Sequence, residues 1–247
     1  MSALEKILAP GGITPVYQPI VDASTESLAG YECLSRGPKG TNFESAKVLF
    51  EYVRLKHEEP LVDRACIRAA LANAPAHAPV QLTVNVHAST LVRDREFAGF
   101  LCGAAKEHGI ACERMTIEIV EHAPSWDGAT LVAALDQLRN TGMRVSLDDI
   151  GLGQSNFKMI LDVRPDFLKI DRYFVESCHL DRNRRAVIES LAHLASHFGA
   201  ELVAEGVDCA ETVDALRGLG VSLMQGNWFG APMECGGTAA AFKRDSG

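Results

Sequence analysis

Two rhythms of apolar positions alternate along this chain. Short runs rich in β-branched and other apolar residues fall at 14–21, 28–34, 81–86, 115–120, 144–147, 167–170, 201–204 and 222–224. Their length and spacing suit strands. Between most of them lie longer stretches with apolar residues at helical intervals, such as Leu131, Leu135 and Leu138. This periodicity predicts helices over 43–55, 61–72, 181–198 and 210–219. A strand followed by a helix, repeated, is the pattern of parallel βα units. The first two runs break it, because only residues 22–27 separate them. A parallel pair needs a longer crossover, so an antiparallel hairpin is expected there. Eight strands with interleaved helices predict an α/β fold, a closed (β/α)8 barrel made irregular by its antiparallel start. An open doubly wound sheet is the alternative, and it would usually carry a glycine-rich phosphate loop after the first strand. Gly151-Leu152-Gly153 has two of those glycines and lacks the third.

Composition adds limits. At 247 residues the chain has the usual length of one such barrel, so a single barrel with a core over about 14–233 is expected. A net charge of -8 argues against a DNA or RNA polymer or an anionic membrane as partner. It leaves room for a small anionic substrate, because a bound metal ion inverts the sign of an acidic pocket. The seven cysteines include no C-x-x-C pair and are read as free thiols of a reducing compartment. With no leader and no apolar run of spanning length, a cytoplasmic location without membrane insertion is expected.

Candidate chemistry comes from where the polar residues fall. Catalytic groups of such barrels sit at the C-terminal ends of the strands. Glu32 lies on the second strand, Asn85 at the third, Glu118 and then Glu121 at the fourth, and Asp148-Asp149 at the fifth. Lys169 and Asp171 follow at the sixth, Glu205 at the seventh and Gln225 at the eighth. Taken singly, each reads as a turn residue or a helix cap. Together they crowd one rim. Adjacent carboxylates in an apolar mouth repel, so they take up protons or bind cations. Hard oxygen donors suit Mg2+ or Mn2+. His87 is read as a turn or packing residue. His193 and His197 lack the glutamate of an H-E-x-x-H zinc motif and are read as partly exposed helix residues. Trp126, Trp228 and Phe229 are read as packing residues.

In order along the chain stand Val16-Tyr17-Gln18-Pro19-Ile20, Tyr31-Glu32-Cys33-Leu34-Ser35-Arg36, Val84-Asn85-Val86, Ile117-Glu118-Ile119-Val120-Glu121, Asp148-Asp149-Ile150-Gly151-Leu152-Gly153, Leu168-Lys169-Ile170-Asp171, Val203-Ala204-Glu205-Gly206-Val207-Asp208 and Gln225-Gly226. The ordered set resembles the EAL domain of bacterial cyclic-di-GMP phosphodiesterases. The resemblance implies a modified TIM barrel with an antiparallel first strand, forming a homodimer. It also implies a metal-dependent hydrolase that opens cyclic-di-GMP to linear pGpG, with two Mg2+ or Mn2+ ions.

By the same resemblance Glu32, Asn85, Glu118 and Asp148 hold one ion. Asp148 and Asp149 reach a second, with Asp171 and Glu205 nearby. Lys169 orients the attacking water, so Lys169, Glu205 and Glu32 form the catalytic group. Gln18, Leu34, Arg36 and Gln225 contact substrate, and Glu121 braces the loop after the fifth strand. Several positions depart from the family pattern. Cys33 stands for an alanine, and its side chain is expected to point away from Glu32. Ile150 and Gln154-Ser155-Asn156 alter the loop that the family couples to its dimer contact. Asp208, Asn227 and Ala231 are further departures. The competing readings are a non-catalytic cyclic-di-GMP receptor and a protein-interaction module, both of which the complete acidic set argues against.

Overall fold

A computed structural model describes residues 2–75, 80–120, 128–151 and 157–235. Its centre is a closed barrel in which every strand pairs with its sequence neighbour and β8 closes on β1. The strands are β1 (Thr14–Asp22), β2 (Leu28–Arg36), β3 (Gln81–His87), β4 (Met115–Val120), β5 (Arg144–Ile150), β6 (Phe167–Ile170), β7 (Glu201–Ala204) and β8 (Leu223–Gln225). β1 is antiparallel to both β2 and β8, and the remaining pairs are parallel. The expected hairpin is therefore present. Asp22 builds its turn by accepting hydrogen bonds from the backbone N–H groups of Ser24 and Thr25.

Around the barrel run α1 (Ala3–Leu8), α2 (Ala46–Lys56), α3 (Glu59–Ala72), α4 (Ala88–Arg93), α5 (Phe97–Glu107), α6 (Gly128–Arg139), α7 (Phe157–Val163), α8 (Arg172–Val175), α9 (Arg182–Phe198) and α10 (Ala210–Arg217). The helix expected over 43–55 starts later than expected. Residues Asn42–Glu44 form a separate 3-10 turn, capped by Thr41, and α2 begins after Ser45. α9 matches its expected span within a residue. Asp181 caps its start by accepting from the N–H groups of Asn183 and Arg184, and Gly199 ends it at φ 68°.

Alternation along the strands divides the side chains into two sets. Val84, Ile117, Ile119, Leu147, Leu168, Leu202 and Met224 belong to the large core that holds the helices against the barrel wall. Cys33 belongs to that core too, pointing away from Glu32 as expected. Inside the barrel, Ile20, Phe167 and Val203 form a small separate apolar cluster. The inner layer beside it is polar, with Thr83, Thr116 and Ser146 all buried. The acidic rim residues therefore sit above a mixed floor, in which Thr83, Thr116 and Ser146 lie beside the apolar Ile20, Phe167 and Val203.

Candidate active site

The rim is organised by Lys169. It comes from the short strand β6, is 2 % exposed, and is ringed by carboxylates. Its Nζ lies 2.7 Å from Glu118 Oε1, 3.1 Å from Glu32 Oε2 and 2.5 Å from Glu205 Oε1. Amides complete the ring. Asn85 Nδ2 donates to Glu32 Oε1 at 2.9 Å, and Gln225 Nε2 donates to Glu32 Oε2 at 2.6 Å. Gln225 Nε2 also approaches Gln18 Oε1 at 2.9 Å, and Gln18 Nε2 donates to the Gly230 carbonyl. Strand pairing makes this possible, because Gln18 faces Glu32 across β1–β2 and Asn85 faces Glu118 across β3–β4.

Asp148 and Asp149 are consecutive, so simple alternation would send them to opposite faces. The register of β5 against β6 shifts between Leu147 and Ile150. Asp149 takes a left-handed backbone conformation, φ 53°, which is uncommon for a non-glycine residue. Asp148 Oδ1 accepts from the Asp149 N–H at 2.8 Å. The irregularity brings both carboxylates to the mouth, where they line the same cavity. Backbone strain of this kind concentrates at functional sites.

The charges do not balance. Five carboxylates, those of Glu32, Glu118, Asp148, Asp149 and Glu205, share one ammonium. Burial pushes Glu118 well above the usual carboxylate range, and the charge of Glu32 adds to it. Burial also raises Glu205, to about 8, against the pull of Lys169. Asp149 is raised to about 6 by burial and by Asp148 and Asp171. Glu32 is the exception. Burial opposes its charge, but Lys169, Asn85 and Gln225 together hold it below its ordinary value. Lys169 itself is burdened by burial, yet the surrounding carboxylates keep it firmly cationic.

Oxygens of Glu32, Glu118 and Glu205 lie within 4.8 Å of one another, and so do oxygens of Asp148, Asp149 and Glu205. Glu205 belongs to both groups. Glu118 Oε2 is buried with no hydrogen-bond partner among the described residues. A buried, orphaned carboxylate oxygen is costly unless a cation or proton meets it. Hard oxygen donors, excess negative charge and an unused oxygen fit a divalent cation.

A cavity of about 810 Å³ opens over this centre. Leu34 and Arg36 line it from the end of β2, beside Asn85, Asp148 and Asp149. Asp171 stands outside both acidic groups. It caps α8, with Oδ1 accepting from the Tyr173 N–H at 2.6 Å. Glu121, Trp126 and Gln154-Ser155-Asn156 lie outside the described residues. His193 and His197 are exposed on α9, where His197 Nδ1 meets the His193 carbonyl. Phe229 packs in the core, whereas Trp228 is exposed. Asp208 and Asn227 are exposed as well.

Sequence reasoning missed Asp63. This carboxylate is 1 % exposed on α3 and lines the cavity. It accepts from the His87 backbone N–H at 2.9 Å, from His87 Nδ1 at 2.8 Å and from Thr90 Oγ1 at 2.5 Å. It thereby ties down the end of β3 two residues beyond Asn85. His87 is thus a buried, paired residue rather than a simple packing one. A signal existed, since Asp63 shares the buried helical face of Ile67 and Ala70 at i+4 and i+7.

Residues 1–232 match the family model described as EAL domain. The chain is 29 % identical over 212 residues to the cyclic di-GMP phosphodiesterase TpdA of Vibrio parahaemolyticus, covering 86 % of this chain and 36 % of that protein. It is 26 % identical over 241 residues to the oxygen sensor protein DosP of Escherichia coli, covering 94 % of this chain and 30 % of that protein. This chain therefore spans about a third of these curated relatives' length. Among solved structures, the manganese/cy-diGMP complex of BlrP1 from Klebsiella pneumoniae superposes with a TM-score of 0.81 at 25 % identity, over 91 % of this chain and 57 % of that one. A standalone EAL protein from Vibrio cholerae in its c-di-GMP-bound form gives 0.80 at 27 % identity, over 90 % and 92 %.

Proposed function

The chain belongs to the EAL domain family, and from that premise we propose that it hydrolyses cyclic-di-GMP to linear pGpG at the Lys169 rim, using Mg2+ or Mn2+. The observation that carries this reading is the charge imbalance around Lys169, with a buried Glu118 oxygen left unpartnered. Glu32, Asn85, Glu118 and Asp148 would hold one ion; Asp148 and Asp149, with Glu205 beside them and Asp171 nearby, would hold a second. A bound divalent cation supplies positive charge for the phosphoryl oxygens and acidifies water.

The chain's own residues supply the rest. Lys169 stays cationic, so it acts as a donor that orients the attacking water and not as a base. Glu205, 2.5 Å from Lys169 Nζ, is a carboxylate suited to accept the proton of that water. Glu32 holds Lys169, Asn85 and Gln225 in one arrangement. The water oxygen bonds to phosphorus, one P–O3′ bond breaks, and the released 3′-oxygen takes a proton. Arg36 suits the anionic ester, because its planar fork donates two hydrogen bonds. Leu34, Gln18 and Gln225 flank the same region, and Glu121 would brace the loop after β5.

A homodimer and a cytoplasmic location belong to the same reading. Among the described residues no helix is long and apolar enough to cross a membrane. The test is chromatographic conversion of cyclic-di-GMP to pGpG by the purified chain with Mn2+ or Mg2+. Glu32→Ala should abolish it. Tight binding without turnover would replace the enzyme reading with that of a receptor.

A further inference from the structure

Seven cysteines are scattered along the chain, and the fold brings two of them together. Cys102 lies on α5, and Cys112 opens a 3-10 turn, Cys112–Arg114, that leads into β4. The Cys112 thiol donates to the Cys102 sulfur at 3.5 Å. Both are free and partly exposed, whereas Cys33, Cys66 and Cys178 are buried. Partial exposure admits a small reagent, and a second sulfur in contact with the first can complete an exchange that the first begins.

Backbone hydrogen bonds hold the two sulfurs side by side. α5 ends at Glu107, where the His108 and Ile110 N–H groups donate to the Ala105 carbonyl at 3.1 and 2.9 Å. Gly109 takes a left-handed conformation, φ 68°, and its N–H donates to the Lys106 carbonyl. The chain thus turns back on α5 and buries Ile110. The far side of the reversal is tied down as well. The Arg114 N–H donates to the Ala111 carbonyl at 3.0 Å, and Gln81 Nε2, at the start of β3, donates to the Glu113 carbonyl at 3.2 Å.

We propose that Cys102 and Cys112 are a reversible oxidation site, which closes to a disulfide when the chain meets a low-molecular-weight disulfide such as glutathione disulfide. Side-chain rotation brings the sulfurs from contact to a bonding distance of about 2 Å. Burial pushes the Cys112 thiol up to about 11, and its hydrogen bond with Cys102 adds to that. Cys112 therefore keeps its proton at first, and Cys102 attacks. The Cys102 thiolate bonds to one glutathione sulfur, the glutathione S–S bond breaks, and one glutathione thiolate leaves. Cys112 then gives up its proton and attacks the Cys102 sulfur of the mixed disulfide, and the second glutathione leaves. Two cysteines are oxidised, one glutathione disulfide is reduced to two glutathiones, and the two cysteine protons end on them. The bridge ties α5 to the lead-in of β4, at the opposite end of that strand from the rim. It does not depend on the phosphodiesterase reading.

The test exposes the reduced full chain to excess glutathione disulfide at pH 8, blocks the remaining thiols and maps tryptic peptides by mass. Lys106 lies between the two cysteines, so trypsin separates them unless a bridge joins them. The map should show Cys102 linked to Cys112, and dithiothreitol should release the pair. The thermal midpoint of the oxidised chain should rise by about 5 °C, because a bridge across a short loop restricts the unfolded chain. Cys112→Ser should stop at the mixed disulfide, with one glutathione kept on Cys102. Cys102→Ser should take up glutathione at position 112 at least about tenfold more slowly, for want of thiolate. Either cysteine of the parent chain left as a thiol, held as a glutathione adduct or linked elsewhere would overturn the proposal. So would a midpoint that does not rise on oxidation, which would mean that the fold does not hold the pair ready.

Discussion

Lys169 Nζ reaches Glu118 Oε1 at 2.7 Å, while the other oxygen of Glu118 is buried without a partner among the described residues. One lysine thus serves a carboxylate that it half satisfies. It also serves Glu32 and Glu205, so removing it exposes the repulsion it holds in check. Breaking a buried ion pair from one side costs about 3–5 kcal/mol. Lys169→Met should therefore lower the metal-free unfolding free energy at pH 8 by about that amount. The loss should shrink at pH 5.5, where the carboxylates can protonate. Urea unfolding at both values checks it, and equal losses would refute the electrostatic account.

The acids make the metal-free protein unusual in its pH response. A raised carboxylate binds its proton more tightly folded than unfolded, so stability falls as pH rises past the unfolded value, about 4. The fall continues through about 6 for Asp149 and about 8 for Glu205. This sign is opposite to that of a salt-bridged carboxylate. Denaturant midpoints from pH 5 to 8.5 in chelator should decline steadily, and Mn2+ should flatten the curve. A chelated midpoint that rises over this range would contradict the assignment.

Gly226 follows Gln225 where the chain doubles back against Val207. The Val207 N–H donates to the Gln225 carbonyl at 3.0 Å, and the Trp228 N–H donates to the Val207 carbonyl at 3.1 Å. A Cβ at position 226 would collide with the Val207 backbone, which has no side-chain freedom to yield. Gly226→Ala should cost about 1–3 kcal/mol, as overpacking does. It should also weaken the Gln225–Glu32 contact, so activity should fall with the thermal midpoint. A stable variant with full activity would show that the loop simply shifts.

Asp63 accepts three hydrogen bonds in a buried setting. Asp63→Ala leaves those donors stranded and should destabilise by roughly 3 kcal/mol. Thr90→Val should cost about 1 kcal/mol, and the double variant less than the sum, because both remove one shared contact. Strict additivity in a thermal or urea series would mean the contact contributes little.

Much of the architecture was legible in the sequence because its cause is local. A period of two marks strands and a period near 3.6 marks helices wherever one face is buried. The six residues 22–27 suffice for a hairpin and are too few for a parallel crossover, which makes β1 antiparallel to β2. Alternation then assigned Glu32 inward and Cys33 outward. Local signals also misled, as where a 3-10 turn at Asn42–Glu44 interrupts an apolar period that reads as continuous helix.

The opening pattern of strands and rim acids was thus determined by the sequence itself, since steric period and burial act over a few residues. The pairing among those acids was decided only by the tertiary structure. Lys169 meets Glu32 across 137 residues of chain, a distance no local rule spans. The register shift that turns both Asp148 and Asp149 to the mouth depends on β6 pairing beside β5. Asp63 looks like one more polar residue on a helix until α3 packs it under His87. Which residues face inward is written in the period of the chain; which of them share a charge depends on the barrel closing.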